Sequence, residues 1–225
     1  MKTDRRTSGI AALDALIGGG LEVRTITQIY GEPASGKSTL CMIAAVSCLR
    51  AGHPVVYIDS EGFSIERFRQ IAGEDTERIA ENLFLFEPLD FEHQGTMIAE
   101  AEKVLKAHKP GLLVMDSATA LYRTDLEKGR DALQALTKQM IHLLGYCKRY
   151  EIPVIITNQV YMDTAKNTFY GLGGVALEHL SKVIIRLEKT ETAGVRRARL
   201  VKHRSRPEGD QFCFEIVEEG VRVRS

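Results

Sequence analysis

No segment of the 225-residue chain approaches the roughly 18 consecutive apolar residues that a membrane-spanning helix needs. The basic opening, MKTDRRTSGI, is not followed by the apolar stretch of a secretory signal. Both absences point to a cytoplasmic protein with no membrane partner. Cysteine is scarce: there are four residues, none arranged as Cys-x-x-Cys, so the usual thiolate metal and redox pairs are excluded. Cys41 and Cys48 lie two helical turns apart in an apolar segment, while Cys147 and Cys213 stand alone, which is the pattern of buried free thiols. An excess of one charge is missing too, since 30 Lys and Arg balance 30 Asp and Glu, and this argues against a uniformly sticky nucleic-acid binder. There is no internal repeat or low-complexity tract. An apolar content of 44% and a charged content of 27% suit a globular protein, and the length suits one large α/β domain over residues 1–225.

What the chain does contain is GEPASGKST at 31–39. Gly31 and Gly36-Lys37-Ser38 fit the phosphate-loop spacing G-x-x-x-x-G-K-[ST]. Glycines allow a tight backbone path along which successive N–H groups face phosphate oxygens, and the helix starting near Lys37 adds its positive dipole end. The whole run, Gly31, Glu32, Pro33, Ala34, Ser35, Gly36, Lys37, Ser38 and Thr39, is the candidate nucleotide cradle. Lys37 is placed to bridge the β and γ phosphates of ATP, and the Ser38 hydroxyl to reach Mg²⁺, a hard ion that takes few protein ligands. The context agrees: TITQIY (25–30) reads as a strand before the loop, and TLCMIAAVSCLRAG as an apolar helix after it.

Apolar strand patterns then alternate with helical ones: PVVYID (54–59), a helix from about Ser64, NLFLFE (82–87), a helix over 92–107, GLLVMD (111–116), a helix over 131–150 and IPVIITN (152–158). This order predicts βαβ units, hence a mainly parallel central sheet with helices on both faces. After a Gly-containing loop at 161–174, the segments SKVIIRLEK, VRRARLVK, QFCFEIV and GVRVR alternate at short separations, which predicts a C-terminal antiparallel extension. Between Arg186 and Arg206, eight Lys or Arg face two Glu, an excess of six that reads equally as a solvated face or a binding surface.

Ligands of open α/β sheets gather at the carboxyl ends of strands, where Glu61, Asp116 and Gln159 fall. Asp116 closes GLLVMD and suits either the second Mg²⁺-associated carboxylate or a helix cap. Glu61, in IDSEG, is placed to orient a water against the γ phosphate, with Asp59 and Ser60 capping the next helix. Gln159 is placed to sense the γ phosphate through its amide.

Taken in order, TSGIAALDALIGGGLEVRTITQIYGEPASGKST, VVYIDSEG, IERFRQIA, GLLVMDSATALYR, IPVIITNQV and RARLVKHRSRPEG resemble the RecA family of ATPases, in the branch of the archaeal RadA and eukaryotic recombinases, over residues 7–209. The resemblance implies a RecA-like P-loop ATPase core that binds ATP and Mg²⁺ and serves homologous recombination and DNA repair. It implies that Glu61 activates water, that Gln159 links the γ phosphate to the following loop, and that Arg67 stacks on adenine; DSEGFSIER is one residue shorter than the usual family segment.

By the same resemblance, two loops meet single-stranded or branched DNA: 122–130 with Arg123, Lys128 and Arg130, and 161–174 with Lys166, Phe169 and Tyr170. The second is shorter than in the recombinases, so weaker, salt-sensitive binding is expected. Lys202 and Arg204 in KHRSRPEG resemble the Lys-x-Arg with which other RecA-like rings reach the γ phosphate of the next subunit, so they are expected to act in trans if the protein forms a weak homo-oligomer. The recombinases' amino-terminal helix-hairpin-helix domain is not expected here, and no Phe-x-x-Ala occurs in the chain. The expected role is a weak ATPase that assists recombination without strand exchange of its own, alongside a RadA-type recombinase or a Holliday-junction resolvase. The competing expectations are a nucleotide-gated interaction module with incidental DNA contact and a P-loop kinase. A kinase of this type usually needs an Arg-rich lid, and the basic run here lies in strand-like sequence.

Overall fold

In the central strands, neighbouring apolar side chains go to opposite faces and both are buried. Val55 and Tyr57, Leu112 and Val114, and Ile155 enter one core, while Val56 and Ile58, Leu113 and Met115, and Val154 and Ile156 enter the other. Only a sheet covered by helices on both sides gives such strands two apolar environments. The computed structural model describes residues 4–163 and 168–224. Lys166 of the second predicted DNA loop lies outside them.

Strands in chain order are β1 (Arg5–Arg6), β2 (Leu21–Glu22), β3 (Ile26–Gly31), β4 (Val55–Asp59), β5 (Leu83–Phe86), β6 (Leu112–Asp116), β7 (Val154–Asn158), β8 (Val160–Asp163), β9 (Thr168–Gly171), β10 (Val183–Lys189), β11 (Val195–Lys202), β12 (Gln211–Val217) and β13 (Gly220–Arg224). The α-helices are α1 (Ala11–Leu16), α2 (Lys37–Arg50), α3 (Ile65–Ala72), α4 (Thr76–Ala80), α5 (Phe91–His108), α6 (Ala120–Thr124), α7 (Arg130–Tyr150) and α8 (Gly174–Leu180). The main sheet runs β13-β12-β11-β10-β3-β7-β6-β4-β5. Every neighbouring pair from β10 to β5 is parallel, and β11, β12 and β13 add antiparallel strands outside β10.

One strand differs from the sequence reading. The segment 181–189 was expected within the antiparallel extension, yet β10 pairs parallel with β3 on one side and antiparallel with β11 on the other. Its run Val183, Ile184, Ile185 and Leu187 is buried throughout, as in an interior strand. The loop at 161–174 also holds structure: β8 and β9 pair as an antiparallel hairpin, and Tyr161 and Tyr170 stack with ring centroids 5.9 Å apart.

α2 buries residues all round its circumference, including Leu40, Cys41, Ile43, Val46 and Leu49, as expected of a helix clamped between the sheet and other elements. α3 is capped by Ser64, whose hydroxyl accepts the Arg67 N–H at 3.1 Å. The expected cap at Asp59 and Ser60 is therefore not formed; Asp59 instead accepts the N–H groups of Glu61 and Gly62, at 3.0 and 2.6 Å, and fixes the turn that presents Glu61. Cys41, Cys48 and Cys147 are buried free thiols, and burial pushes Cys48 and Cys147 up to about 12; Cys213 is half-buried.

Candidate nucleotide site

At the carboxyl ends of β3, β4, β6 and β7 lies a cavity of about 350 Å³. Its floor is the loop between β3 and α2, contributed by Gly31, Pro33, Ala34, Gly36, Lys37, Ser38 and Thr39. Two glycines are dictated by geometry. A Cβ on Gly31 would stand 2.2 Å from the Leu187 carbonyl of β10, and Gly36, at φ +101°, caps α2 in a backbone region that side chains disfavour.

The Lys37 ammonium donates to the carbonyls of Gly31 and Glu32, both at 3.0 Å, and so bends back over its own loop. Burial holds its pKa below the ordinary lysine range, partly offset by Glu61 and Asp116. The Ser35 hydroxyl is buried and has no hydrogen-bond partner among the described residues. Buried polar groups are normally satisfied, and an orphan hydroxyl in a glycine-rich loop of the phosphate-binding type suits an oxygen-rich anion.

Asp116 ends β6 and is buried, accepting from Thr157 Oγ1 at 2.6 Å and Tyr57 OH at 3.1 Å. Ser38 is a further hydrogen-bond partner of this carboxyl, so the two predicted Mg²⁺ residues are brought together. Burial raises the Asp116 pKa against these hydrogen bonds. Asp59 faces Asp116 in register across β4 and β6, and its pKa is raised to about 6 by burial and then by the Asp116 charge. A buried acid pair with a hydroxyl beside it is chemically suited to a small hard cation. Among the described residues, no group of three or more His, Cys, Asp or Glu forms a metal cluster.

The upper wall holds Glu61 and Gln159, joined by a 2.8 Å hydrogen bond from Gln159 Nε2 to Glu61 Oε1. The Gln159 backbone N–H donates to Thr119 Oγ1 at 2.9 Å, and its carbonyl accepts the Leu172 N–H at 2.9 Å just past β9. The amide is thereby tied at once to the turn before α6 and to the hairpin behind it.

Other predicted residues sit elsewhere. Arg67 does not line the cavity; its guanidinium donates to the carbonyls of Glu218 and Gly220, both at 2.8 Å, and fastens α3 to the turn between β12 and β13. Lys128 pairs with Asp125 at 2.7 Å, and Arg130 opens α7 with its side chain exposed. Phe169 is half-buried on β9. Lys202 donates to the Glu178 carbonyl, and Arg204 to Glu22 Oε1 at 3.0 Å and Thr25 Oγ1 at 2.9 Å. Arg123, assigned to a DNA loop from the sequence, lines the cavity beside Lys37 and Glu61.

Arg196 and Ile216 line the cavity too and were missed as individuals. Arg196 was visible only as one member of the basic run. Its role depends on β11 and β12 folding back over the loop, which brings the Phe214 ring and Ile216 to within 3.5 Å of where a Gly36 Cβ would lie.

The family model described as Rad51 matches residues 3–223. "DNA repair and recombination protein RadB" of Methanoculleus marisnigri is 66% identical over 99% of this chain and 100% of that protein. The protein of the same name from Methanococcoides burtonii is 44% identical over 99% and 100% of the two chains, and that from Archaeoglobus fulgidus 42% identical over 95% and 96%. A solved structure, "Crystal structure of the RadB recombinase", superimposes with a TM-score of 0.83 at 38% identity, covering 96% of this chain and 97% of that one. With a mainly parallel sheet flanked by helices and extended by antiparallel strands, the chain has the RecA-like fold and belongs to the Rad51 family, within its group of archaeal RadB proteins.

Proposed function

We propose that this chain is an ATP-binding accessory of recombinational DNA repair, with slow hydrolysis of its own and contact with DNA. One observation carries the reading: a cavity floored by a phosphate-type loop whose opposite wall is the hydrogen-bonded pair Glu61–Gln159. The loop amides and Lys37 would hold the phosphates, with the Lys37 ammonium exchanging two carbonyls for phosphate oxygens. Ser38 and Asp116 would hold Mg²⁺, which when bound supplies positive charge to the phosphate oxygens. In hydrolysis, a water oxygen bonds to the γ phosphorus while the bond to the β–γ bridging oxygen breaks, and Glu61 takes the water's proton. Gln159, hydrogen-bonded to that acid, would feel the terminal phosphate and pass its presence to the hairpin through the Leu172 bond.

Recombinational repair is carried over from the relatives' names and from family membership. DNA, single-stranded or branched, is the expected partner, with a RadA-type recombinase or a junction resolvase as protein partners. A second reading, a nucleotide-gated interaction module, gains support from the first loop. Of its three cations, Lys128 is paired with Asp125 and Arg123 lines the nucleotide cavity, leaving Arg130 for DNA. DNA affinity with and without ATP, measured beside affinity for the recombinase, separates the two readings.

Thermal unfolding with Mg-ATP tests nucleotide binding. Ligand at a hundred times its dissociation constant adds about 2.7 kcal/mol, which for a chain of this size means an upward shift of several degrees. The natural protein should show that shift and Lys37→Ala should lose it. No shift in the natural protein would overturn the reading.

A further inference from the structure

Arg123 stands on α6, one turn beyond Thr119, and its backbone N–H donates to the Thr119 carbonyl at 3.1 Å. Thr119 in turn holds the Gln159 N–H through its hydroxyl and donates to Asn158 Oδ1 at 2.8 Å. The helix carrying Arg123 is therefore hydrogen-bonded to the strand end that carries Gln159, and both side chains line the same cavity as Lys37 and Glu61. Three cations, Lys37, Arg123 and Arg196, meet there with one lining acid, Glu61. Two of them are engaged inside the protein: Lys37 by the carbonyls of Gly31 and Glu32, and Arg196 by the carbonyls of Gly194 and Ala34, the latter at 3.5 Å. Among the described residues, the exposed Arg123 guanidinium has neither hydrogen bond nor ion pair. The two cations that the sequence offered as reaching across from a neighbouring subunit, Lys202 and Arg204, are both bonded within their own chain.

We propose that Arg123 is a binding residue for the terminal phosphate of ATP, acting within its own chain, and that it makes the site distinguish ATP from ADP. The inference rests on the nucleotide reading above. A planar, permanently charged fork suits two phosphate oxygens at once. Lys37 grips the phosphates from the loop side, and Arg123 reaches them from the wall that holds Glu61 and Gln159, where the last phosphate of a triphosphate lies and a diphosphate has none. Drawn inward, Arg123 is withdrawn from the DNA loop, so bound ATP changes what α6 and residues 122–130 offer to DNA. Because the cation comes from the same chain, the ATP preference does not depend on assembly.

The experiment is titration of the natural protein, Arg123→Ala and Arg123→Lys with Mg-ADP and with the Mg complex of the β,γ-imido analogue of ATP, at two protein concentrations, by calorimetry. One charge-assisted hydrogen bond is worth about a ten- to hundredfold change in affinity. Arg123→Ala should weaken the triphosphate by about that factor, leave ADP nearly unchanged, and do so equally at both concentrations; Arg123→Lys should recover part of the loss. Nucleotide-free unfolding of the variants should match the natural protein. Equal weakening of ADP and analogue, or no change in either, would overturn the proposal while leaving the nucleotide reading intact. A natural protein that binds neither nucleotide would overturn both.

Discussion

The Glu61 carboxylate and the Gln159 amide, 98 residues apart in sequence, share a 2.8 Å hydrogen bond in the wall of the cavity above the 31–39 loop. Glu61 is held by the Asp59 turn on β4, and Gln159 by Thr119 and Leu172 beyond β7, so the bond joins two independently braced walls. The Gln159 Oε1 atom is buried and has no partner among the described residues. A residue with one bonded and one orphan polar atom has an incentive to rearrange when a new donor or acceptor enters. The pair therefore offers an entering ligand one bonded and one open polar atom at the same place.

Replacing Glu61 by Gln separates the pair's chemical role from its structural one. The new carboxamide oxygen can still accept from Gln159, so the cavity should survive, but it cannot take a proton from water. Turnover should fall by about 10²- to 10⁴-fold, while the upward unfolding shift with Mg-ATP remains. Phosphate release and thermal unfolding, measured on the same preparation, check both halves. Retained turnover would remove Glu61 as the base.

Asp59 and Asp116 predict a pH dependence. They face each other at the ends of adjacent strands, and the native Asp59 pKa of about 6 lies above the unfolded value near 3.8. A carboxyl raised on folding binds its proton more tightly in the native state, so its charged form costs stability above about pH 6, and that cost fades as pH falls towards 4. The full shift corresponds to about 3 kcal/mol, less where the coupled pair shares the proton. Asp59→Asn keeps an oxygen for the Glu61 and Gly62 N–H groups, both of which bond Oδ1, and removes the repulsion. It should therefore raise the urea midpoint of the nucleotide-free protein at about pH 8 and leave it little changed near pH 4. A variant less stable at both pH values would show that the charge is not what matters.

The sequence made much of this legible because parallel strands buried on both faces must be apolar along their length. PVVYID, GLLVMD and IPVIITN carry that signature, and each ends where the site begins, at Asp59, Asp116 and Asn158. The loop at 31–38 is readable because backbone crowding, not side-chain chemistry, fixes its glycines: Gly31 must slip past the Leu187 carbonyl. What sequence could not give was contact between distant segments. Arg67, expected on adenine, faces carbonyls about 150 positions away, and Arg196 enters the site only because β11 lies two strands out from β3. Arg123 shows the same limit: read from the sequence as a loop cation facing DNA, it stands on the short α6, anchored through Thr119, and lines the cavity.

Among the cations expected to meet DNA, partners already present decide how much each contributes. Lys128 is neutralised at 2.7 Å by Asp125, so a DNA phosphate approaching it must compete with a carboxylate that is already in place. Arg130, exposed at the start of α7, has no such competitor among the described residues. Counterion release counts phosphates newly neutralised, at about 0.7 in the slope of log affinity against log salt for each one on a single strand. Arg130→Ala should therefore flatten that slope by about 0.7, whereas Lys128→Ala should change it less, because Lys128 is already neutralised by Asp125 and releases few ions from a phosphate. Fluorescence anisotropy of a labelled single strand over a salt series checks this in the nucleotide-free protein. An Arg130→Ala slope equal to that of the natural protein would take the start of α7 out of the proposed DNA surface and leave the β8–β9 hairpin, with the exposed and stacked rings of Tyr161 and Tyr170, as the surface to test next.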